Sequence, residues 1–348
     1  MEFWEKNVRR VVPYVPGEQP KADNIIKLNT NENPYPPAPA VVNKSLSFSD
    51  LRLYPDPRAE LLVKKIAEYH GLSQENVFVG VGSDDVIAMS FMTFFNSERE
   101  ILFPDVTYSF YDVWADMLKI PYKAVPVTED FRLRREDYYV ENGGIIFPNP
   151  NAPTGIAEPV SFVEDILKAN RDVIVIVDEA YVDFGGESVL SLINDYDNLL
   201  VVRTFSKSRS MAGIRIGYAM GNAKLIQYLN DVKYSFNSYT MNMPSIILGA
   251  ESLGDDAYFK DTIAKVVRTR EWFKKEIEKL GFISLPSSAN FLFITHKALN
   301  AKYIFEEAKK AGIYVRYFDK PRIDNYLRVT IGTDEQMEIF LGFLKKLT

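Results

Sequence analysis

The sequence predicts an α/β fold: a large domain on a mostly parallel sheet covered by helices, then a smaller C-terminal α/β domain. Three observations lead there. Short, continuous apolar runs rich in β-branched and aromatic residues recur through much of the 348-residue chain, with helical patterns between several of them. Such strands, apolar without alternation, belong in a sheet buried on both faces. The length exceeds one typical domain, and near Asp255 the pattern changes to a long, charged, amphipathic stretch.

Taken in order, residues 1–40 form an arm. Seven prolines from Pro13 to Pro39 predict extended chain crossing other surfaces. After Arg58, Leu61, Leu62, Ile66 and Tyr69 recur at helical spacing and Gly71 closes the helix. The runs Val77–Val81, Ile101–Phe103, Ile145–Phe147, Val173–Val177, Leu199–Val202 and Ile214–Met220 read as strands. Asp84–Phe95 and Phe162–Ala169 read as helices between them, so residues 41–255 form the large domain. Residues 256–348 form the small one, with the helical stretch Asp256 to Leu280 and strands at Asn290–Thr295, Ile313–Phe318 and Tyr326–Ile331. A helix near Ala301–Ala311 and another after Thr333 complete it. No fixed-period repeat argues for a solenoid.

Composition narrows the function. The longest uninterrupted apolar stretch is about the five residues Val173–Val177, far short of a membrane span. The opening MEFWEKNVRR places acids and bases where a secretory leader keeps its apolar core, so a cytoplasmic location is expected. With no cysteine and two histidines, His70 and His296, neither a cysteine-ligated metal nor a serine triad is readily built. A net charge of −6 without a basic run is no nucleic-acid footprint. The expected ligand is a small molecule.

Ligands of open parallel sheets bind beyond the carboxyl ends of the strands, and four such places stand out. In VFVGVGSDDVIAM, a strand passes through Gly80 and Gly82 into a helix near Ser83 and Asp84. That turn suits a phosphate, or is simply a tight turn with a cap. In IVIVDEAYVDF, Asp178 ends a strand and Tyr181 follows; the acid reads as a cap or as the partner of a pyridinium nitrogen, with metal the weaker option. In LLVVRTFSKSRSMAGIRIGY, Lys207 just past a buried strand is a Schiff-base candidate, and Ser206 and Arg215 could both reach a phosphate. In IIFPNPNAPTG, a proline-rich turn presents Asn149 and Asn151, which in such turns usually bond their own backbone. Each is ordinary alone; together they form one constellation.

These motifs resemble the fold-type I, class I/II pyridoxal-phosphate aminotransferases, and within them the histidinol-phosphate aminotransferase branch. The likeness runs in order through PYVPGEQP (13–20), LNTNENPYPP (28–37), RLYPDP (52–57), GSDD (82–85), PNPNAPTG (148–155), VDEAYVDF (177–184), RTFSKS (203–208), AGIRIGY (212–218) and LRVTIGT (327–333). It implies pyridoxal 5'-phosphate as cofactor and no metal. Lys207 would carry the Schiff base and shuttle the proton, Asp178 would keep the pyridine nitrogen protonated, and Tyr181 and Asn151 would bond the phenolic oxygen. Tyr108 would stack on the ring; Ser83, Asp84, Thr204, Ser206 and Arg215 would hold the phosphate. Tyr54 would reach the phosphate of a neighbouring subunit, making a homodimer with shared sites in which the arm also packs on the partner. Arg316 and Arg328 would bind the anionic end of the substrate, with Tyr14 and Glu32 closing over its side chain. The implied reaction is L-histidinol phosphate plus 2-oxoglutarate to imidazole-acetol phosphate plus L-glutamate, in histidine biosynthesis. Two departures are Arg209, where the resemblance expects an aromatic residue, and Asp85 in GSDD where GSDE is commoner. An aromatic-amino-acid aminotransferase or a threonine-phosphate decarboxylase would keep the same cofactor residues. A passive phosphate-binding module would have no use for Lys207.

Overall fold

The computed structural model describes residues 6–21 and 24–348; the opening residues Met1–Glu5 of the arm lie outside them. Thirteen strands alternate with ten α-helices among the described residues. The strands are β1 (Ile26–Lys27), β2 (Val77–Gly80), β3 (Ile101–Pro104), β4 (Tyr122–Val125), β5 (Ile145–Pro148), β6 (Val175–Asp178), β7 (Leu199–Thr204), β8 (Gly217–Gly221), β9 (Phe282–Ser284), β10 (Phe291–His296), β11 (Ile313–Tyr314), β12 (Arg316–Tyr317) and β13 (Leu327–Thr330). The helices are α1 (Pro39–Val42), α2 (Glu60–His70), α3 (Ser83–Phe94), α4 (Tyr111–Leu118), α5 (Val160–Ala169), α6 (Ala223–Phe236), α7 (Met243–Ser252), α8 (Asp256–Glu278), α9 (Ala301–Lys310) and α10 (Asp334–Leu347).

The large sheet has the order β2-β8-β7-β6-β5-β3-β4. Strands β3 to β7 run parallel, and β8 lies antiparallel between β2 and β7. Because successive strand residues point to opposite faces, the apolar runs feed two cores. Val79, Leu102, Phe147, Val177 and Val201 pack in one, with α2, α5 and α7. Phe78, Phe103, Ile146, Ile176 and Leu200 pack in the other, with α3, α4 and α6. That is why these strands are apolar without alternation.

The second sheet is antiparallel, β12-β13-β10-β9, and shares a core with α8, α9 and α10. The arm joins it. Ile26 and Lys27 pair parallel with β11; Leu28 donates its N–H to Tyr314 O at 2.7 Å and accepts from Thr330 N at 3.0 Å. One extended segment thus bridges two strands of the small sheet region.

The structure revises several boundaries. The strand expected over Ile313–Phe318 is two, broken at buried Val315, because Ile313–Tyr314 pair with the arm while Arg316–Tyr317 pair with β13. The strand expected from Ile214 begins at Gly217, after a short 3-10 turn at Ala212–Ile214. Sequence patterning missed β4, an edge strand of mixed exposure with Lys123 in it, and the helices α4, α6 and α7.

Leu28 is fully buried in the small-domain core, so Leu28→Ala should destabilise the protein by about 2–5 kcal/mol. Val12→Ala, at an exposed arm position, should change stability by less than about 0.5 kcal/mol. Chemical denaturation of the two variants side by side measures the difference.

Candidate active site

The segments beyond the carboxyl ends of β3, β5, β6 and β7 converge on a cavity whose lining includes Tyr14, Tyr108, Tyr181, Lys207, Arg316 and Arg328. The parallel strands β5, β6 and β7 end side by side, so the residues following each open on the same edge.

Lys207 stands three residues past the end of β7. Its Nζ lies 3.3 Å from Thr30 O of the arm, to which it donates, and 5.8 Å from the centre of the Tyr181 ring. Behind it, the loop is tied by a buried polar network. Arg203 pairs with Glu179 at 2.9 Å and with Asp183 at 3.3 Å, and Ser208 donates to Asp183 at 2.6 Å. Asn33 of the arm donates to Ser208 O at 3.3 Å.

An anion cradle adjoins the lysine. Helix α3 starts at Ser83, after Gly82 in a left-handed conformation (φ 85°), and leaves its first N–H groups free of helical partners. Arg215 faces this turn so closely that a Cβ on Gly82 would strike its guanidinium. Its Nη1 approaches Ser206 Oγ at 3.4 Å and its Nη2 approaches Asp84 Oδ2 at 3.5 Å. Thr204 Oγ1 donates to Ser206 Oγ at 3.0 Å. Gly217 lets the strands close up, since any side chain there would strike the Gly82–Ser83 backbone. Free helix amides, a hydroxyl and a guanidinium around one point suit a phosphate.

Asp178, at the end of β6, is buried, accepting from Ala180 N at 3.1 Å and Tyr111 Oη at 3.3 Å. Among the described residues it has no cationic partner, and burial pushes its pKa up to about 7. A protonated pyridine nitrogen is the partner such a carboxylate lacks. Tyr108 donates to Asp84 at 2.8 Å, and Tyr14 stacks on Phe110 at 4.3 Å, so aromatic side chains wall one side. The residues present therefore fit pyridoxal phosphate at both ends, phosphate and ring nitrogen.

Opposite, on β12 and β13, stand two guanidiniums. Arg328 donates to Asn29 O at 3.0 Å, while its Nε is sealed from solvent and has no partner; burial lowers its pKa. Arg316 donates to Val15 O and Pro16 O of the arm at 3.1 and 3.3 Å. Among the described residues neither forms an ion pair, although Asp319 and Asp324 are close in sequence.

Other expected site residues are placed differently. Glu32 is held in an ion pair with Lys27 at 2.6 Å and accepts from Thr30 at 2.8 Å. Asn151 spends both side-chain N–H donors on Val106 O and Thr154 Oγ1. Tyr54 is 81% exposed and stacks obliquely on Tyr239 at 4.8 Å, pointing into solvent. Arg209 turns away from the cradle into a ring of aromatics, 4.1 Å from the Phe259 centroid and 4.7 Å from that of Tyr69, donating to Ser252 O at 2.8 Å. Sequence reasoning missed Tyr111, whose only signal was an aromatic cluster after β3, and Asn31, which donates to Tyr181 Oη at 2.9 Å.

The model of the family "Aminotransferase class I and II" matches residues 23–344. A histidinol-phosphate aminotransferase of Clostridium botulinum is 51% identical over 99% of this chain and 98% of its own length. Among solved structures, the histidinol-phosphate aminotransferase of Clostridium acetobutylicum superposes with a TM-score of 0.86 at 23% identity, covering 93% of this chain and 99% of that one. The Sinorhizobium meliloti histidinol-phosphate aminotransferase, in complex with pyridoxal 5'-phosphate, gives 0.84 at 22% identity, covering 93% and 92%.

In the cofactor-free protein, folded Asp178 keeps its proton up to about pH 7, whereas the unfolded chain releases it near the ordinary 3.8. The folded state therefore binds more protons across that window, and stability falls as pH rises through it. Asp178→Asn should reduce the stability lost between pH 5 and pH 8 in the cofactor-free protein, and should lower the turnover of the loaded enzyme by 100-fold or more, an order-of-magnitude expectation from losing several kcal/mol of charge stabilisation. Thermal melts at the two pH values and steady-state rates measure both.

Proposed function

The chain belongs to the class I and II aminotransferases, and from that premise we propose that it transfers the amino group of L-histidinol phosphate to 2-oxoglutarate, in histidine biosynthesis and in the cytoplasm. The observation that carries the choice of substrate is the pair Arg316 and Arg328, facing one cavity without a carboxylate between them; relatives about half identical over the full length bear the same name.

Pyridoxal phosphate, when bound, supplies the electron sink that makes the substrate's Cα proton removable. Ser83 and Asp84 amides, Ser206, Thr204 and Arg215 would hold its phosphate. Asp178 would hold a proton at the ring nitrogen, and the cationic ring would give its buried carboxylate a charge-assisted hydrogen bond. Tyr108 would stack on the ring, and Tyr181, with Asn151, would be the partner of the phenolic oxygen. Lys207 Nζ would be the amine that holds the cofactor, and it would serve as the base that moves the substrate's Cα proton. The amine waits against Thr30 O, a neutral acceptor that leaves it able to move. Arg328 and Arg316 clamp the substrate's anion: phosphate in one half-reaction, a carboxylate of glutamate in the other. Tyr14 and Glu32 close the arm side over the substrate's side chain.

The same reading divides the chain into arm (1–40), large domain (41–255) and small domain (256–348). It pairs two copies so that Tyr54, exposed here, completes the partner's phosphate site.

The test of substrate is kcat/KM for histidinol phosphate, histidinol and phenylalanine on wild type and Arg328→Ala. Removing the phosphate should cost wild type roughly 10–100-fold per bond lost, and Arg328→Ala should erase most of that difference. Equal rates for histidinol and its phosphate would overturn the proposal, and faster phenylalanine turnover would assign an aromatic-amino-acid aminotransferase.

The shared site has its own test. Tyr54→Phe should weaken cofactor affinity, and mixing it with inactive Lys207→Ala should give heterodimers with one doubly altered site and one intact site. Activity recovered on mixing supports the exchange of Tyr54 between subunits. No recovery, with subunit exchange demonstrated, places Tyr54 in its own chain's site or in none.

A further inference from the structure

Asn31 has no part in the steps above, yet the arm, the small sheet and Tyr181 meet on it. It is 1% exposed and left-handed (φ 56°), a conformation asparagine accepts more readily than most residues. Its backbone N–H donates to Thr330 Oγ1 at 3.0 Å. The Thr330 hydroxyl donates in turn to Asn31 Oδ1, also at 3.0 Å. The Asn31 carbonyl accepts from Asn290 Nδ2 at 3.0 Å.

These bonds orient the side chain. With Oδ1 taken by the threonine proton, the amide presents Nδ2 to Tyr181 and donates to its phenol oxygen at 2.9 Å. A phenol has one proton. Since Tyr181 accepts from Asn31, its own proton is left for an acceptor on the cavity side, where Lys207 lies over the ring.

We propose that Asn31 is a positioning residue that turns the Tyr181 hydroxyl into a donor toward the cofactor's phenolic oxygen, and thereby sets the protonation of the Schiff base between cofactor and Lys207. The inference rests on the reading that places Tyr181 beside that oxygen. A donor there favours the form in which the oxygen carries more negative charge, which is the form with the Schiff-base nitrogen deprotonated, so the donor lowers the Schiff-base pKa. Thr330 lies on β13 and Asn31 on the arm, so elements that also hold Arg328 and Thr30 control the direction of this one proton.

The test is a pH titration of the visible absorption of the enzyme loaded with pyridoxal phosphate, in wild type, Asn31→Asp, Tyr181→Phe, the double variant and Thr330→Val. A carboxylate only accepts, so Asn31→Asp draws the Tyr181 proton away from the cofactor. It should raise the Schiff-base pKa about as far as Tyr181→Phe does, by roughly one pH unit or more, and should add little when Tyr181 is already Phe. Thr330→Val, which keeps the shape and removes the hydroxyl that orients the amide, should give a smaller shift in the same direction, and serves if Asn31→Asp does not fold. An Asn31→Asp shift undiminished in the Tyr181→Phe background would reduce the effect to added charge and overturn the relay. So would an unchanged pKa in Asn31→Asp and Thr330→Val while Tyr181→Phe raises it. If Tyr181→Phe itself has no effect, the placement of Tyr181 at the cofactor falls, and the relay with it.

Discussion

A buried carboxylate with no cation beside it among the described residues constrains the large domain, and the layout of the site follows from it. Asp178 sits at the end of a central strand with one backbone N–H and one tyrosine hydroxyl for company. Ordinary folding physics removes such groups or pairs them. A cationic ligand would supply the counter-charge, so a group that strains the fold is also suited to bind one. The neighbouring Glu179 makes the contrast plain: equally buried, one residue on, it is paired with Arg203 and bonded by Ser188 and Val189. Adjacent acids have been given a structural and a chemical role by the presence or absence of one guanidinium.

The small domain repeats this logic with opposite sign. Arg328 is held by a single backbone carbonyl and keeps a sealed, unpartnered nitrogen. Between an acid that lacks a cation and an arginine that lacks an anion lies the cavity, and the arm threads between them. It gives Thr30 O to the lysine, Asn29 O to Arg328, and Asn33 to the loop beyond Lys207. This proline-rich segment works through backbone carbonyls and asparagine side chains alike.

Much of this was legible in the sequence because it depends on local pattern. Strands buried on both faces announce themselves as continuous apolar runs, and polar residues just past their carboxyl ends mark candidate positions, which is how Asp178 and Lys207 could be singled out. What depended on pairing was not legible. Nothing local in YVRYF says that Val315 is where one strand changes partners, and Lys123 in an exposed edge strand breaks the very signal that marks its neighbours. Tyr111 and Asn31 were invisible for a related reason: each acts by touching a residue more than sixty positions away. Nor did the motifs tell which nearby groups engage the polar atoms of Glu32 and Asn151, Lys27 and Val106 O among them.

Arg209 shows how the lysine loop keeps its place. Its guanidinium lies among Tyr69, Phe205 and Phe259 and reaches a carbonyl at the end of α7, so the segment two residues beyond Lys207 is anchored to three different helices without an ion pair. Attraction between a desolvated cation and aromatic faces is a short-range contact inside the protein, whereas exposed pairs such as Arg134–Asp137 weaken as mobile ions gather round them. The Lys207 amine is therefore moored by contacts that ionic strength barely touches, and added salt can loosen the periphery of this protein while leaving the register of the lysine loop intact.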